Sequence, residues 1–135
     1  MPGLKLATIL LAAYAAVWIA LEGNVVRVTA LGWATALVGL GFVYERQLAG
    51  RRVSPVLWVA LAAALGVITG FSSAVLTLLF MALKSGLHAH GPEFNPAQIN
   101  WVVRQIPWWT SAGLLAGLGV AMIAVVMQGT RDRDG

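Results

Sequence analysis

Val56 to Leu83 reads VLWVALAAALGVITGFSSAVLTLLFMAL, twenty-eight residues without one charged side chain. At a helical rise of 1.5 Å per residue it is about 42 Å long, more than the ~30 Å hydrocarbon core of a bilayer. Such a run reads as a transmembrane helix that tilts, bends or projects beyond the lipid. Pro55, whose ring presets a helical φ and whose missing N–H costs nothing in a first turn, is its expected start. Gly66 and Gly70, followed by Ser72 and Ser73, mark the expected place for a bend.

Three more apolar runs flank this one. Leu6 to Leu21 is preceded by Lys5 and closed by Glu22, Gly23 and Asn24. A signal peptide is its rival reading, because Ala13-Tyr14-Ala15 has the form of a cleavage site. However, that motif lies inside the apolar run rather than after it. Val28 to Tyr44 lies between Arg27 and the pair Glu45-Arg46, and Trp108 to Gln128 is followed by Gly129 and a polar tail. The expectation is an all-α integral membrane protein forming one domain, with spans at about 4–22, 26–44, 55–83 and 108–128.

Composition agrees with a lipid solvent. Of 135 residues 59% are hydrophobic and only 10% charged, and the mean hydropathy is +0.81, far above an ordinary soluble domain. The net charge of +4 would suggest nucleic acid in a soluble protein, but here the basic residues occupy short loops and read as topology signals. Lys5, Arg46, Arg51, Arg52, Arg131 and Arg133 fall on one side of a four-span arrangement, and Arg27, Lys84 and Arg104 on the other. Six against three places both ends of the chain in the cytoplasm, by the rule that cytoplasmic loops are enriched in Lys and Arg. The membrane is then the cytoplasmic one, inner or plasma. The absence of cysteine excludes disulfides, thiolate metal sites and a cysteine nucleophile.

Helices in lipid associate through close backbone approach and side-chain hydrogen bonds, since their surroundings are as apolar as they are. Gly66-x-x-x-Gly70 and Gly113-x-x-x-Gly117 are expected to form a close crossing of the third and fourth spans, with Gly32-x-x-x-Ala36 as a weaker equivalent in the second. Ser72, Ser73, Thr77, Thr110 and Ser111 are candidates for interhelical bonds or for a narrow polar path. The competing expectation is that each hydroxyl bonds back to its own helix. Trp18, Trp58, Trp108 and Trp109 fall near span ends, as interfacial anchors do.

The segment from Lys84 to Pro107 is where chemistry is most readily sought. Asn95 with Pro96 and Gln98 has the form of a capped helix start. Ile99, Val102, Val103 and Ile106 then recur at helical spacing. The expectation is a short amphipathic helix over 96–106, lying on the outer membrane surface and stopped by Pro107. Trp101 falls on its polar face, which points to docking on the preceding segment or, with Arg104, on a partner. His88, His90 and Glu93 are a candidate metal set in an extended loop; solvated turn residues are the commoner role for that pattern.

No ionisable residue lies in the central part of a predicted span, whereas proton-coupled transporters carry one at depth. No catalytic constellation can be assembled from the described motifs. The expected function is therefore non-enzymatic, without a cofactor and without nucleic acid: an accessory or scaffolding subunit of a membrane complex, or a homo-oligomer. An oligomeric channel or uncoupled carrier is the second reading, because hydroxyls and carbonyls alone can line a pore. A membrane enzyme or metal site at the outer loop is the third.

Overall fold

A computed structural model describes residues 2–51, 53–87 and 93–131 of the chain. Every regular element in them is helical: α1 (Pro2–Ala20), α2 (Val25–Val43) continued by a π-helical turn (Tyr44–Leu48), α3 (Pro55–Leu87) and α4 (Pro96–Arg131). All four helices are long and apolar enough to cross a membrane. Helices are the natural outcome for such runs, because a backbone in hydrocarbon must satisfy every N–H and C=O within its own segment.

Local signals set the boundaries. The Asn24 side chain accepts from the backbone N–H of Val26 at 2.8 Å and of Arg27 at 3.3 Å, capping α2. Gly50, at φ +79°, adopts a left-handed conformation that side-chain-bearing residues resist, and it ends the turn after α2. Ser54 accepts from Leu57 N–H at 3.4 Å just before Pro55 opens α3. At α4, Gln98 N–H donates to Asn95 Oδ1 and Asn95 N–H to Gln98 Oε1, both at 2.9 Å, a reciprocal capping box.

The separate amphipathic helix over 96–106 is not present. Those residues are the first turns of α4, which continues through Pro107 to Arg131. A proline deprives the carbonyl four residues earlier of its donor, but within a long packed helix that is one bond among many, and membrane helices tolerate it. Side chains add bonds just beyond it: Thr110 donates to Ile106 O at 2.7 Å and Ser111 to Pro107 O at 2.8 Å. Of the expected apolar stripe only Val102 is fully buried, while Ile99 and Val103 are more than two-fifths exposed. With 33 and 36 residues, α3 and α4 reach about 50 Å and 54 Å, so both tilt in a bilayer or extend past it.

α3 is the central helix, with α4 along one side and α2 along another, and α1 packs chiefly on α2. The α3–α4 seam is a backbone contact. A methyl group at Gly66 would collide with the carbonyl of Gly113, one at Gly70 with that of Trp109, and one at Gly117 with that of Ala62. The α2–α3 seam uses Gly32, where a methyl group would meet the Thr77 hydroxyl and lie 2.8 Å from Ser73 O. Gly32→Ala is accordingly expected to lower thermal stability in detergent by about 1–3 kcal/mol, the usual range for overpacking. Thr77→Ala should recover part of that loss, since Oγ1 is only one of the two obstacles. A Gly32→Ala protein that melts with the parent would contradict this packing.

A buried hydrophobic cluster, Trp18, Val28, Leu31, Met81, Phe94 and Val102, lies at one end of the bundle. It draws on all four helices and on the segment before α4. Trp18 is therefore not an interfacial anchor: at 1% exposure it is the centre of this core, with its ring edge-on to Phe80 at 6.2 Å. Trp108, at 71% exposure, does face outward.

Candidate functional site

At that same end sits a buried cation. Lys84, in the last turn of α3, is 0% exposed rather than a loop residue, as its place at the end of an apolar run suggests. Its ammonium donates to Trp18 O at 2.9 Å, Ile19 O at 3.5 Å and Leu21 O, and lies 4.7 Å over the Trp18 ring. Glu93 Oε2 is 3.4 Å away. The last carbonyls of a helix have no intrahelical donor and carry the negative end of its dipole. Three ammonium protons placed there cap α1 from a different helix. Glu93 is itself held close to the α1–α2 turn, since a methyl group at Gly23 would meet its carboxylate. One polar node thus joins the end of α1, the end of α3 and the start of the α4 segment.

This arrangement bears on the candidate metal set. Glu93 is placed against Lys84, a cation that competes with any metal ion for its carboxylate. His88 and His90 lie outside the described residues. Among the described residues no group of three His, Asp or Glu is arranged to hold a metal ion.

The structure brings Gly66, Gly70, Gly113 and Gly117 together at one crossing, and it places the five hydroxyl residues in different degrees of burial. Ser73 and Thr77 are buried under α2, Thr110 and Ser72 are half-buried, and Ser111 is exposed. Four of them donate to carbonyls of their own helix: Ser73 to Gly70 and Thr77 to Ser73, both at 2.7 Å, with Thr110 and Ser111 as above. Trp101 is 46% exposed and stands edge-on to Trp109 at 6.2 Å. Trp109 in turn lies 5.9 Å from Trp33 of α2, so the three indoles step inward from the surface of α4. Arg104 is exposed.

The opposite half of the bundle holds a feature that no single stretch of sequence signals. A cleft of about 530 Å³ opens between α2, α3 and α4. Trp33, Leu37, Leu40 and Tyr44 form one wall, Trp58, Ala62 and Thr69 another, and Gly113, Ala116, Gly117 and Val120 the third. Its origin is the contrast between glycine and alanine on two helices and bulky side chains on the third. Tyr44 and Trp58 meet edge-on at 6.3 Å at its end. Beyond them is a smaller recess of about 250 Å³, lined by Tyr44, Leu48, Gly50, Arg51, Val53, Trp58 and Ala124.

Comparison with known proteins finds no family that matches the chain, no curated protein similar to it and no solved structure that matches it. The functional reading therefore rests on the chain's own geometry.

Proposed function

We propose that the chain is a non-enzymatic multi-pass protein of the cytoplasmic membrane, with both termini on the cytoplasmic side, that acts by helix–helix contact. It serves as an accessory or scaffolding subunit of a membrane complex, or assembles with copies of itself. The observation that carries the reading is α1. Trp18 is the one residue buried among those described in this helix, and the Lys84 node fastens it at one end. Along the rest, Ala12, Ala16 and Ala20 are exposed at four-residue spacing, a smooth face of the kind that lets another membrane helix approach closely.

Where the polar groups go also supports contact over transport. Lys84 is engaged with helix-end carbonyls and Glu93, and Ser73, Thr77, Thr110 and Ser111 with local ones. The placement of the cytoplasmic side follows from the excess of Lys and Arg at the Tyr44 end. Native mass spectrometry of the full chain extracted in mild detergent tests the reading. The expected result is an oligomer or a complex with other membrane subunits, reduced to the single chain by Ala16→Leu with no change in helical content. A chain that runs alone before and after the substitution, and that conducts ions or small solutes in proteoliposomes, would replace contact with transport.

A further inference from the structure

We infer that the cleft between α2, α3 and α4 is a binding site for one phospholipid with an anionic headgroup. One acyl chain occupies the cleft, and the phosphate lies at the recess beside Arg51.

Three observations carry this, and none depends on the contact reading. The first is length. The cleft runs along α2 from Trp33 to Tyr44, eleven residues or about 16 Å at helical rise. That is about half of the ~30 Å hydrocarbon thickness, the depth reached by the chains of a single leaflet. A volume of about 530 Å³ is within the usual ~300–1,000 Å³ of sites for small ligands. The walls are apolar apart from the indole N–H groups, the Tyr44 hydroxyl and Thr69, and the Thr69 hydroxyl is already bonded to Leu65 O at 2.8 Å.

The second observation is charge. The cleft ends at the Tyr44–Trp58 pair, and those two residues also line the recess that holds Arg51. Arg46, on the π-helical turn, is exposed at the same end. Lys5 reaches that end too, because Leu4 packs against Gly41. Glu45 is the acidic side chain of the turn, so among the described residues this end carries three cations and one anion. An apolar slot ending in a cationic recess is complementary to an amphiphile that is apolar over one leaflet's depth and negative at its head. A zwitterionic headgroup lacks the net charge to use it.

The third is Trp58. Its Nε1 is buried and donates to no acceptor among the described residues, at the boundary between the apolar and polar compartments. Buried donors are costly to leave unpaired, and a lipid's ester or phosphate oxygens lie at that depth.

The test is native mass spectrometry of the full chain released from nanodiscs of equal parts dioleoyl phosphatidylglycerol and dioleoyl phosphatidylcholine. One phosphatidylglycerol is expected to be retained in preference to phosphatidylcholine, and inorganic phosphate should not displace it. Arg51→Ala, in an exposed loop, should reduce that preference about fivefold, the factor corresponding to about 1 kcal/mol per basic side chain at a membrane surface. Ala116→Trp, which places an indole in the cleft, should reduce retention of both lipids. Leu37→Trp provides the same obstruction from α2 should Ala116→Trp fold poorly. Equal retention of the two lipids, a preference unchanged by Arg51→Ala, or retention unchanged by the filled cleft would each overturn the proposal. Displacement by inorganic phosphate would also overturn it, by assigning the recess to a free anion.

Discussion

Gly113→Leu is expected to force α3 and α4 apart and to lower the stability of the detergent-solubilised protein by about 3 kcal/mol, the upper end of ordinary overpacking costs. The obstacle is backbone: a Cβ at Gly113 meets the Gly66 carbonyl and lies 3.1 Å from the Gly70 nitrogen. A side chain that collides with a flexible neighbour can be relieved by a rotamer change, whereas one that collides with a helix backbone moves the helix. Gly119, six residues along the same helix, supplies the control, since nothing lies within 4 Å of a Cβ built there. Gly119→Leu should leave stability unchanged or raise it slightly, because leucine is the better helix former by up to about 1 kcal/mol. Thermal unfolding followed by circular dichroism separates the two, and equal melting of both variants would dismiss the glycine crossing.

Lys84→Met should be comparably severe for a different reason. It leaves the Trp18, Ile19 and Leu21 carbonyls without their ammonium donor and Glu93 without its cation. Breaking a buried charge pair by removing one partner costs about 3–5 kcal/mol, much of it from the charge left behind. Glu93→Gln in the same background should therefore restore part of the loss, and the four-protein cycle measures the coupling. Amide exchange should rise first in α1, the helix with least other burial. If Lys84→Met melts with the parent and α1 stays protected, the node contributes nothing to the fold.

Much of the architecture is legible in the residues. Charge-free runs bounded by Lys, Arg and Glu mark four membrane-length helices, and Asn95-Pro96 with Gln98 marks the start of α4. The rest depends on information that a linear reading does not carry. Pro107 reads as a stop because proline commonly breaks helices in soluble proteins, yet α4 passes through it. Lys84 reads as a loop charge because its three carbonyl partners are more than sixty residues earlier. Trp18 reads as an anchor because its distance from a span end is visible and its neighbours Met81, Phe94 and Val102 are not. The hydroxyls illustrate the reverse case: their partners are three or four residues away, so the local alternative weighed from sequence describes them. The cleft is visible nowhere in the chain, since it is the space left when small residues of α3 and α4 face bulky ones of α2.

The cap on α1 also has a tempo. The ammonium that Trp18 O accepts is 66 residues further along the chain, so at ribosomal rates of about 5–20 residues per second the first helix waits roughly 3–13 s for its lock. Until then α1 is a hairpin partner of α2, and its far-end carbonyls wait for their ammonium donor, with Trp18 O held only by the Leu21 N–H at 3.1 Å. Biosynthesis itself thus sets aside an interval in which the amino-terminal hairpin stands without its lock before the bundle shuts.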